Sequence, residues 1–427
     1  MRINKLHLEN FKNFESASFR FNPNFTVIIG RNGTGKSSII QGLRLAAATF
    51  LLGIDEAERY HIQKEDVRRI DIGNRFVPQK KCSFEAQGEL NEEKVTWKRT
   101  LSRVGGRTDY KEAYDLIGIA ESLNRQVNEE LRDDVDLPII GYFNTARLWV
   151  DSYYTVKLKK KGARLQDGYA RCVDDRTDKK SPMEWIKSAT WKKLKNKPDS
   201  VLLDAVLEAI DICIPNWQPS EWDEDTDDLG GHYSGENHPS SFVPLSYLSD
   251  GLKTMGAMVA EVAYRCVILN PHHGREAVKK SKGIVLIDEI DMHLHPEWQR
   301  QVVGDLKRAF PNIQFIATTH SPFIVQSLDS DELINLDLDI DEAPYKLNLQ
   351  DVASAIMKVD TRSEKYAEQY NKAEKYLKAL DELPNASDDE KQKLKETMEK
   401  IENATDPAFA AFLKMNKLAK LGNTQDS

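Results

Sequence analysis

The sequence of 427 residues contains 60 Lys or Arg and 68 Asp or Glu, which leaves a formal net charge of −8. Hydrophobic residues make up 40% and charged residues 30% of the chain, a balance typical of a globular protein rather than one coated in DNA-binding charge. Its apolar runs are too short to span a membrane, and its charged first residues are unlike a secretion signal, so we expect a cytoplasmic protein with no membrane partner. Its four cysteines form no CxxC pair, which argues against a structural zinc or disulfide framework.

The first 150 residues show the patterns of buried strands, helices and a small antiparallel sheet. The run Phe25–Ile29, apolar or β-branched throughout, is the clearest buried strand. In chain order the predicted elements are two strands within 1–29 separated by the turn Asn22-Pro23-Asn24, a helix over 38–52, an antiparallel sheet over 80–115, a helix over 116–137 and a buried strand over 137–143.

Strands and helices alternate in the second half of the chain. Residues 181–213 have helical spacing, and the acidic, glycine-rich stretch 222–235 is predicted to be a loop. The elements predicted beyond it are a helix near 250–269, a strand over 283–287, a helix near 296–309 and a strand over 313–318. This alternation predicts a largely parallel sheet.

Residues 361–421 are rich in Lys and Glu, and a break at 384–389 divides them into two predicted helices. Two interpretations of this tail stay open, a solvated helical hairpin and a docking surface for a partner protein. The whole pattern predicts four regions: an N-terminal lobe at 1–150, a mainly helical insertion at 151–245, a C-terminal lobe at 246–345 and a helical tail at 346–427.

A phosphate-binding loop follows the strand 25–29. Its eight residues, GRNGTGKS, match the pattern G-x-x-x-x-G-K-[ST] between a buried strand and a helix, the context that this loop requires. Glycines let backbone N–H groups turn towards phosphates, Lys36 can reach the β and γ phosphates, and the Ser37 hydroxyl can bind Mg²⁺. The predicted nucleotide-binding residues are Gly30, Arg31, Asn32, Gly33, Thr34, Gly35, Lys36, Ser37 and Ser38. The alternative is a purely structural glycine-rich turn.

Two later strands end in polar side chains. The strand 283–287 is followed by Asp288 and Glu289, and the strand 313–318 leads to His320. Since parallel strands end at the same edge of a sheet, these groups should face the phosphate loop. Asp288 would then hold Mg²⁺, Glu289 would act as general base on the attacking water, and His320 would contact the γ phosphate or that water.

The segment Leu248–Gly251, LSDG, precedes the predicted helix 250–269. Ser249 is a good N-cap residue, which is the purely structural interpretation. The functional interpretation is a nucleotide-binding segment supplied in trans, in which Ser249, Asp250 and Gly251 meet the γ phosphate held by another subunit.

The order of these four motifs resembles ATP-binding-cassette ATPases, in particular the SMC, Rad50 and RecF branch. The resemblance implies an α/β fold, an ATPase head whose mixed sheet has a parallel P-loop core beside an antiparallel lobe. It implies that residues 30–37 are Walker A, that 248–251 are the signature, that Asp288 and Glu289 are Walker B and that His320 is the switch histidine. Lys36, Glu289 and His320 would be catalytic, ATP and Mg²⁺ would be the cofactors, and two heads would form a homodimer around two ATPs.

Two longer stretches narrow the branch. Residues 288–299, DEIDMHLHPEWQ, and 137–149, LPIIGYFNTARLW, are similar to segments of stand-alone bacterial AAA-family ATPases of phage defence. The nearest fit is the ATPase subunit of Septu-type systems and its retron-associated relatives. There the ATPase works with an HNH-type nuclease encoded beside it, so the resemblance implies such a nuclease as partner.

The chain also departs from the family pattern. His295 stands where transport cassettes have Asp, and no Q-loop glutamine is evident, so Gln79, Asn144 and Arg147 remain candidates for that role. The residues between Ser37 and Ser249 lack the long heptad arms of SMC or Rad50, which argues against a long-range DNA tether.

Several motifs are interpreted as decoys. The acidic run Leu336–Asp341 lacks the other parts of a TOPRIM nuclease, so no nuclease site is expected in this chain. The pairs His272-His273 and His293-x-His295 lack partners at metal-binding spacing and are interpreted as loop and interface residues. The basic run Lys157–Arg164 is a candidate for contact with nucleic acid, although a solvated face is the commoner role for such a run.

We therefore expect an ATP-hydrolysing subunit of a bacterial anti-phage defence complex, in which nucleotide-dependent dimerisation regulates an HNH-type nuclease. The alternative is a RecF-like DNA-repair ATPase that binds DNA directly. A transport cassette is the least favoured, because the start of the chain and the stretch 288–299 are unlike one.

Overall fold

The computed structural model describes residues 1–55, 57–73, 75–145, 164–175, 180–195, 200–235, 238–337, 343–358, 364–383 and 386–403, with the single positions 413, 415 and 417. The described chain divides into two compact units, Met1–Val352 and Ala353–Ser427. The candidate Q-loop residue Arg147, the basic run Lys157–Arg164 except its last residue, and residues 338–341 of the acidic run lie outside the described residues.

The strands of the first unit form four sheets. In chain order they are β1 (Arg2–Phe11), β2 (Phe14–Arg20), β3 (Phe25–Ile29), β4 (Arg69–Asp71), β5 (Phe76–Pro78), β6 (Cys82–Leu90), β7 (Glu93–Leu101), β8 (Thr108–Asp109), β9 (Ile139–Phe143), β10 (Trp217–Asp223), β11 (Asp228–Gly235), β12 (His238–Pro244), β13 (Gly283–Ile287), β14 (Ile313–Thr318) and β15 (Leu333–Asn335).

Helices fill the intervals between the strands and make up the second unit. They are α1 (Lys36–Ala47), α2 (Tyr114–Asn128), α3 (Arg164–Tyr169), α4 (Lys180–Leu194), α5 (Ser200–Cys213), α6 (Asp250–Leu269), α7 (Ala277–Lys280), α8 (Pro296–Gln299), α9 (Val302–Ala309), α10 (Pro322–Val325), α11 (Leu349–Asp351), α12 (Glu364–Glu382) and α13 (Asp388–Asn403). None of these helices is long and apolar enough to cross a membrane.

A five-stranded parallel sheet forms the centre of the first unit, with the order β15-β3-β14-β13-β9. Its strands β3, β13 and β14 are buried along their whole length. This burial on both faces explains why the sequence of each strand is a mainly apolar run without alternation of apolar and polar residues. The register pairs Ile287 with Ala317 and Thr318 with Ile28, so these three strands end side by side. The largely parallel sheet predicted from the sequence is confirmed.

A second five-stranded sheet, of order β2-β1-β6-β7-β8, is antiparallel throughout. Together the two sheets confirm the predicted α/β class with a parallel core and an antiparallel lobe. The prediction of two strands within 1–29 was wrong, because β1 and β2 form a hairpin before β3 begins. That hairpin turns at Lys12 with a positive φ of 46° and without glycine or proline, so the usual turn signal was missing.

Three further predictions of local structure need correction. Residues 222–235 are not a loop, since they belong to the antiparallel sheet β10-β11-β12. The glycines there allow close packing: a Cβ on Gly231 would lie 2.6 Å from both the Gln218 carbonyl oxygen and the Trp217 ring. The insertion therefore contains a sheet beside its helices. The helix expected near 296–309 is two helices, α8 and α9, and the helix expected over 116–137 ends at Asn128.

The side chain of Gln314 links the two main sheets. It is fully buried on β14, where its Oε1 accepts a hydrogen bond from the Ile3 N–H at 2.8 Å. Its Nε2 donates to the carbonyl oxygens of Ile3 at 3.0 Å and Asn22 at 2.9 Å. One amide thus satisfies three backbone groups of the N-terminal segment from inside the parallel sheet.

The second unit contains a helical hairpin. Helices α12 and α13 are separated at the predicted break, and they pack around a small core of their own. Its buried members are Tyr376, Ala379, Leu380, Leu383, Met398, Ile401 and Leu413. The prediction of two helices is confirmed, whereas the role of the hairpin as a docking surface remains a prediction, as do the four domain boundaries.

We expect Gln314→Leu to lower the free energy of unfolding. Leucine fills a similar volume but leaves the polar groups of Ile3 and Asn22 without their partner, and each orphaned buried group costs about 1–3 kcal/mol. The measurement is the urea midpoint, with the exposed Gln87→Leu in β6 as the matched control. Equal midpoints for the two variants would contradict the role given to Gln314.

Candidate functional site

The glycine-rich loop between β3 and α1 is held in conformations that favour glycine. Gly33 and Gly35 have φ values of 86° and 107°, in the left-handed region. A Cβ on Gly35 would also lie 2.5 Å from the ring of Phe14, which packs against the loop from β2. Asn13 donates from its side chain to the Gly33 carbonyl oxygen at 2.7 Å. The β1–β2 turn therefore supports the loop from outside.

Lys36, the first residue of α1, points back into its own loop. Its Nζ donates to the carbonyl oxygens of Gly30 at 2.8 Å and Arg31 at 3.2 Å. Burial lowers the pKa of Lys36, and the nearby carboxylates of Asp288 and Asp337 oppose that change. The ammonium group therefore already lies at the loop. A phosphate chain bound there would bring further negative charge next to it.

The polar side chains at the ends of β13 and β14 are joined through Thr318. Its Oγ1 donates to Asp288 Oδ1 at 2.5 Å and accepts from the Glu289 N–H at 2.8 Å. Glu289 has a positive φ of 53°, a conformation that costs a residue with a side chain about 1–3 kcal/mol. The buried threonine helps to hold that backbone, and Glu289 is directed into the cleft beside the loop.

The loop after β13 is anchored in the same way. Thr319 donates from Oγ1 to Asp291 Oδ1 at 2.5 Å, and the His320 N–H points to the same oxygen at 3.4 Å. The Ile290 N–H also donates to the Thr318 carbonyl oxygen at 3.0 Å. The carboxylates after β13 and the histidine after β14 are therefore fixed relative to each other.

These groups surround one open cleft of about 230 Å³ at the C-terminal edge of the parallel sheet. The residues that line it are Asn13, Asn32, Gly33, Gly35, Lys36, Ser37, Ser38, Asp288, Glu289, Thr318 and His320. The structure thus brings the glycine loop next to the polar ends of two strands. Both strand ends lie about 250 residues or more after the loop in the sequence. The loop residues Gly30, Arg31 and Thr34 shape the turn, where the Thr34 Oγ1 donates to the Arg31 carbonyl oxygen at 2.9 Å.

The segment 249–251 does not belong to the lining of this cleft among the described residues. Ser249 and Asp250 are exposed at the start of α6, whereas Gly251 is buried. Ser249 occupies the N-cap position of α6, as the structural interpretation expects, but its side chain makes no capping hydrogen bond. A Cβ on Gly251 would lie 2.2 Å from the His293 carbonyl oxygen, which means that this segment packs directly on the loop after Glu289.

Several supporting residues were missed from the sequence. Asn13 and Thr318 carry no recognisable motif, and only the neighbouring elements bring them to the cleft. Asp337, in the acidic run that was interpreted as a decoy, accepts a hydrogen bond from the Arg31 N–H at 2.8 Å. Asp337 lies two residues after the short strand β15, and it reaches the loop because β15 pairs with β3.

The Q-loop candidates differ in position. Gln79 follows β5 and does not line the cleft among the described residues. Asn144 directly follows β9, and its side-chain amide donates to Asp175 Oδ1 at 3.2 Å. The same oxygen binds Arg44 of α1 at 2.8 Å, and the guanidinium of Arg44 lies over the ring of Tyr142. Asn144 is therefore linked to the helix that begins at the phosphate loop.

Three of the histidines that were interpreted as decoys occupy two different settings. His295 is the N-cap of α8, where its Nδ1 accepts from the Glu297 N–H at 3.4 Å, which accounts for a histidine at this position. His272 and His273 both lie against Asp136, so the expectation that they have no partner was wrong. The signal was hidden because Asp136 is 136 residues away from His272 in the sequence.

A family model described as an AAA domain matches residues 5–212. In overall structure the chain resembles a crystal structure titled as an SmcHead bound to the C-winged helix domain of ScpA. That likeness has a TM-score of 0.44 and 15% identity over 78% of this chain and 94% of that chain. The domain match and the cleft make the chain similar to ATPases of the AAA-domain class.

Within that class, the chain is similar to two proteins of named systems. It is 27% identical over 383 residues to the Retron Vc95 probable ATPase of Vibrio cholerae, which covers 78% of this chain and 73% of that protein. It is 35% identical over 150 residues to the Septu protein PtuA of Bacillus thuringiensis, which covers 31% of this chain and 37% of that protein. The resemblance to Septu and retron-associated proteins that was predicted from the motifs is confirmed.

We expect Thr318→Val to reduce ATP hydrolysis by about 10–100-fold, the usual effect of removing a group that orients a metal ligand. Valine keeps the shape but loses the hydroxyl that positions Asp288 and the Glu289 backbone. The measurement separates kcat from the affinity for ATP, which should change little.

Thr318→Ser restores the hydroxyl and should restore most of the rate. Thr49→Val is the matched control, because Thr49 is a fully buried threonine of the first unit whose hydroxyl donates to the Leu45 carbonyl oxygen of its own helical segment. Unchanged hydrolysis by Thr318→Val would show that the hydroxyl does not position the reacting groups.

Proposed function

We propose that this chain binds and hydrolyses ATP as a subunit of a bacterial anti-phage defence complex, and that its nucleotide-dependent dimerisation regulates an associated HNH-type nuclease. The observation that carries the ATPase part is the single cleft that Lys36, Ser37, Asp288, Glu289 and His320 share. The fold produces this arrangement because β3, β13 and β14 end side by side.

The residues of the cleft fit a nucleotide with Mg²⁺. The exposed hydroxyl of Ser37 and the carboxylate of Asp288 face the same space, and oxygen atoms are the ligands that Mg²⁺ prefers. We assign these two residues to the metal, which when bound neutralises charge on the phosphate oxygens. Lys36 and the N–H groups of residues 32–38 bind the phosphates.

Glu289 is the proposed general base. Its backbone is held by Thr318, and its side chain lies in the cleft with Lys36 and His320. The carboxylate takes a proton from the attacking water while the bond between the γ phosphorus and the bridging oxygen breaks, which yields ADP and phosphate. His320 orients the γ phosphate or the water from the neighbouring strand end.

Dimerisation is supported by the segment 249–251. Ser249 is exposed with no capping bond, and the segment lies outside the cleft of its own chain. Its contact with the loop after Glu289, through Gly251 and His293, offers a route by which closure of a second head would reach the catalytic carboxylate. We propose that residues 249–251 complete the cleft of the partner head.

The defence role and the nuclease partner rest on similarity to the retron and Septu proteins. The helical hairpin α12–α13 is the proposed dock for the nuclease, since it forms a unit with its own core. A cytoplasmic location follows from the same proposal.

We expect Glu289→Gln to bind ATP and Mg²⁺ but to hydrolyse ATP very slowly, and therefore to accumulate as a dimer in size-exclusion chromatography with light scattering. Adding Ser249→Arg to this variant should return it to a monomer that still binds ATP, because the arginine blocks the partner's cleft and leaves the loop, Lys36 and Asp288 of its own chain intact. Ser102→Arg, in an exposed loop after β7, is the matched control and should leave the dimer intact. A wild-type monomer whose rate per chain does not fall on dilution would contradict the dimer.

We expect a second protein with HNH-type histidines to co-purify with the chain from its native operon, and a truncation after residue 352 to lose it. Mass determination with and without ATP measures the composition of each complex. If the chain purifies alone and binds DNA with a steep dependence on salt, the RecF-like alternative is supported instead.

A further inference from the structure

Two consecutive histidines and an aspartate converge on one point at the surface of the first unit. The Nε2 atoms of His272 and His273 lie 2.8 Å and 2.7 Å from Asp136 Oδ1. The two imidazole rings lie 4.1 Å apart, and their side chains are only 18% and 19% exposed. Neighbouring side chains ordinarily diverge, so their approach to one carboxylate oxygen is a specific feature of this turn.

The backbone that carries these side chains is held in place on both sides. Leu137, next to Asp136, donates its N–H to Asn270 Oδ1 at 2.8 Å and accepts from Asn270 Nδ2 at 3.0 Å. The same Nδ2 donates to Ser281 Oγ at 2.9 Å, and both asparagine and serine are buried. The segment before β9 and the turn after α6 are thus joined before any ion is present.

The donor set fits a divalent transition metal. Two imidazole nitrogens and one carboxylate oxygen all lie within 4.8 Å of one another. Among the described residues, this is the group of His, Cys, Asp or Glu side chains that lies close enough together to hold a metal ion. Ligands of a tetrahedral Zn²⁺ lie about 3.4 Å apart, so small side-chain movements would close the set around an ion. Mg²⁺ prefers oxygen ligands in an octahedron and fits this set poorly.

The charges around the group are mixed, because Lys280 and Lys282 line the same pocket as Asp136 and Arg132 is paired with Asp134 at 3.1 Å. Asp133 and Asp134 precede Asp136 on the same segment. The positive charge of Arg164 lies near these aspartates, but its guanidinium is bonded to backbone carbonyl oxygens, among them that of Leu269 at 2.7 Å.

We propose that Asp136, His272 and His273 form a binding site for one divalent transition-metal ion of the Zn²⁺ type, with the remaining position open to water. The site lies where β9 and β13 begin, and the proposed nucleotide cleft lies where they end, so the two sites are at opposite edges of the parallel sheet. The ion would tie the entry of β9 to the turn after α6. The proposal does not depend on the proposed ATPase function.

The test uses the full-length chain, stripped with a chelator and kept free of nucleotide. After dialysis against Zn²⁺ with excess Mg²⁺, elemental analysis should find one equivalent of retained zinc, and Co²⁺ should give the visible absorption of a site with nitrogen and oxygen ligands. Zinc should also raise the melting temperature. Retention of no zinc by the wild-type chain would overturn the proposal.

The double variant His272→Gln/His273→Gln should lose that equivalent and the zinc-dependent rise in melting temperature. In the presence of chelator it should melt like the wild type, which shows that it folds. His7→Gln, at a half-buried histidine on β1, is the matched control, and His320→Gln tests the proposed nucleotide cleft. Both should keep the zinc. Loss of zinc in His320→Gln, or its retention in the double variant, would place the ion elsewhere and refute the site.

Discussion

The parallel pairing of β3, β14 and β13 is the constraint on which the candidate site depends. Because the register sets Thr318 beside Ile28 and Ala317 beside Ile287, the three strands end at the same edge of the parallel sheet. The glycine loop, the two carboxylates and the histidine each begin within a few residues of that edge. The strands can be fully buried because helices and the antiparallel lobe cover them, and this burial excludes slippage of the register.

The antiparallel lobe supports the cleft as well as covering the sheet. Gln314 joins β14 to the N-terminal segment, and the turn that follows β1 supplies Asn13 to the Gly33 carbonyl oxygen. The Phe14 ring lies so close to Gly35 that only glycine fits there. A change in the lobe would therefore affect the glycine-rich loop through Asn13 and Phe14, two residues that lie outside the motif.

The LSDG segment contacts the loop that leaves the cleft, although it does not line the cleft itself among the described residues. Gly251 packs on the His293 carbonyl oxygen, and His293 lies in the loop that leaves the cleft after Glu289. Under the proposed dimer, a second head that binds through residues 249–251 would also act on the loop that carries Glu289, the proposed general base. This connection gives a physical basis for a nucleotide-dependent switch that acts on a bound partner.

Most of the motif residues that line the cleft could be recognised in the sequence. Each of its motifs is local, so the glycine loop, the Asp-Glu pair and the strand-end histidine could be recognised together with the strands that carry them. The residues that support the cleft became evident only in the folded structure. Asn13, Thr318 and Asp337 acquire their roles from neighbours that are distant in the sequence. The structure also shows that residues 222–235 pair as strands and that Asp136 contacts two histidines. Neither the strand pairing nor a contact between residues 136 positions apart produces a periodic pattern in the sequence.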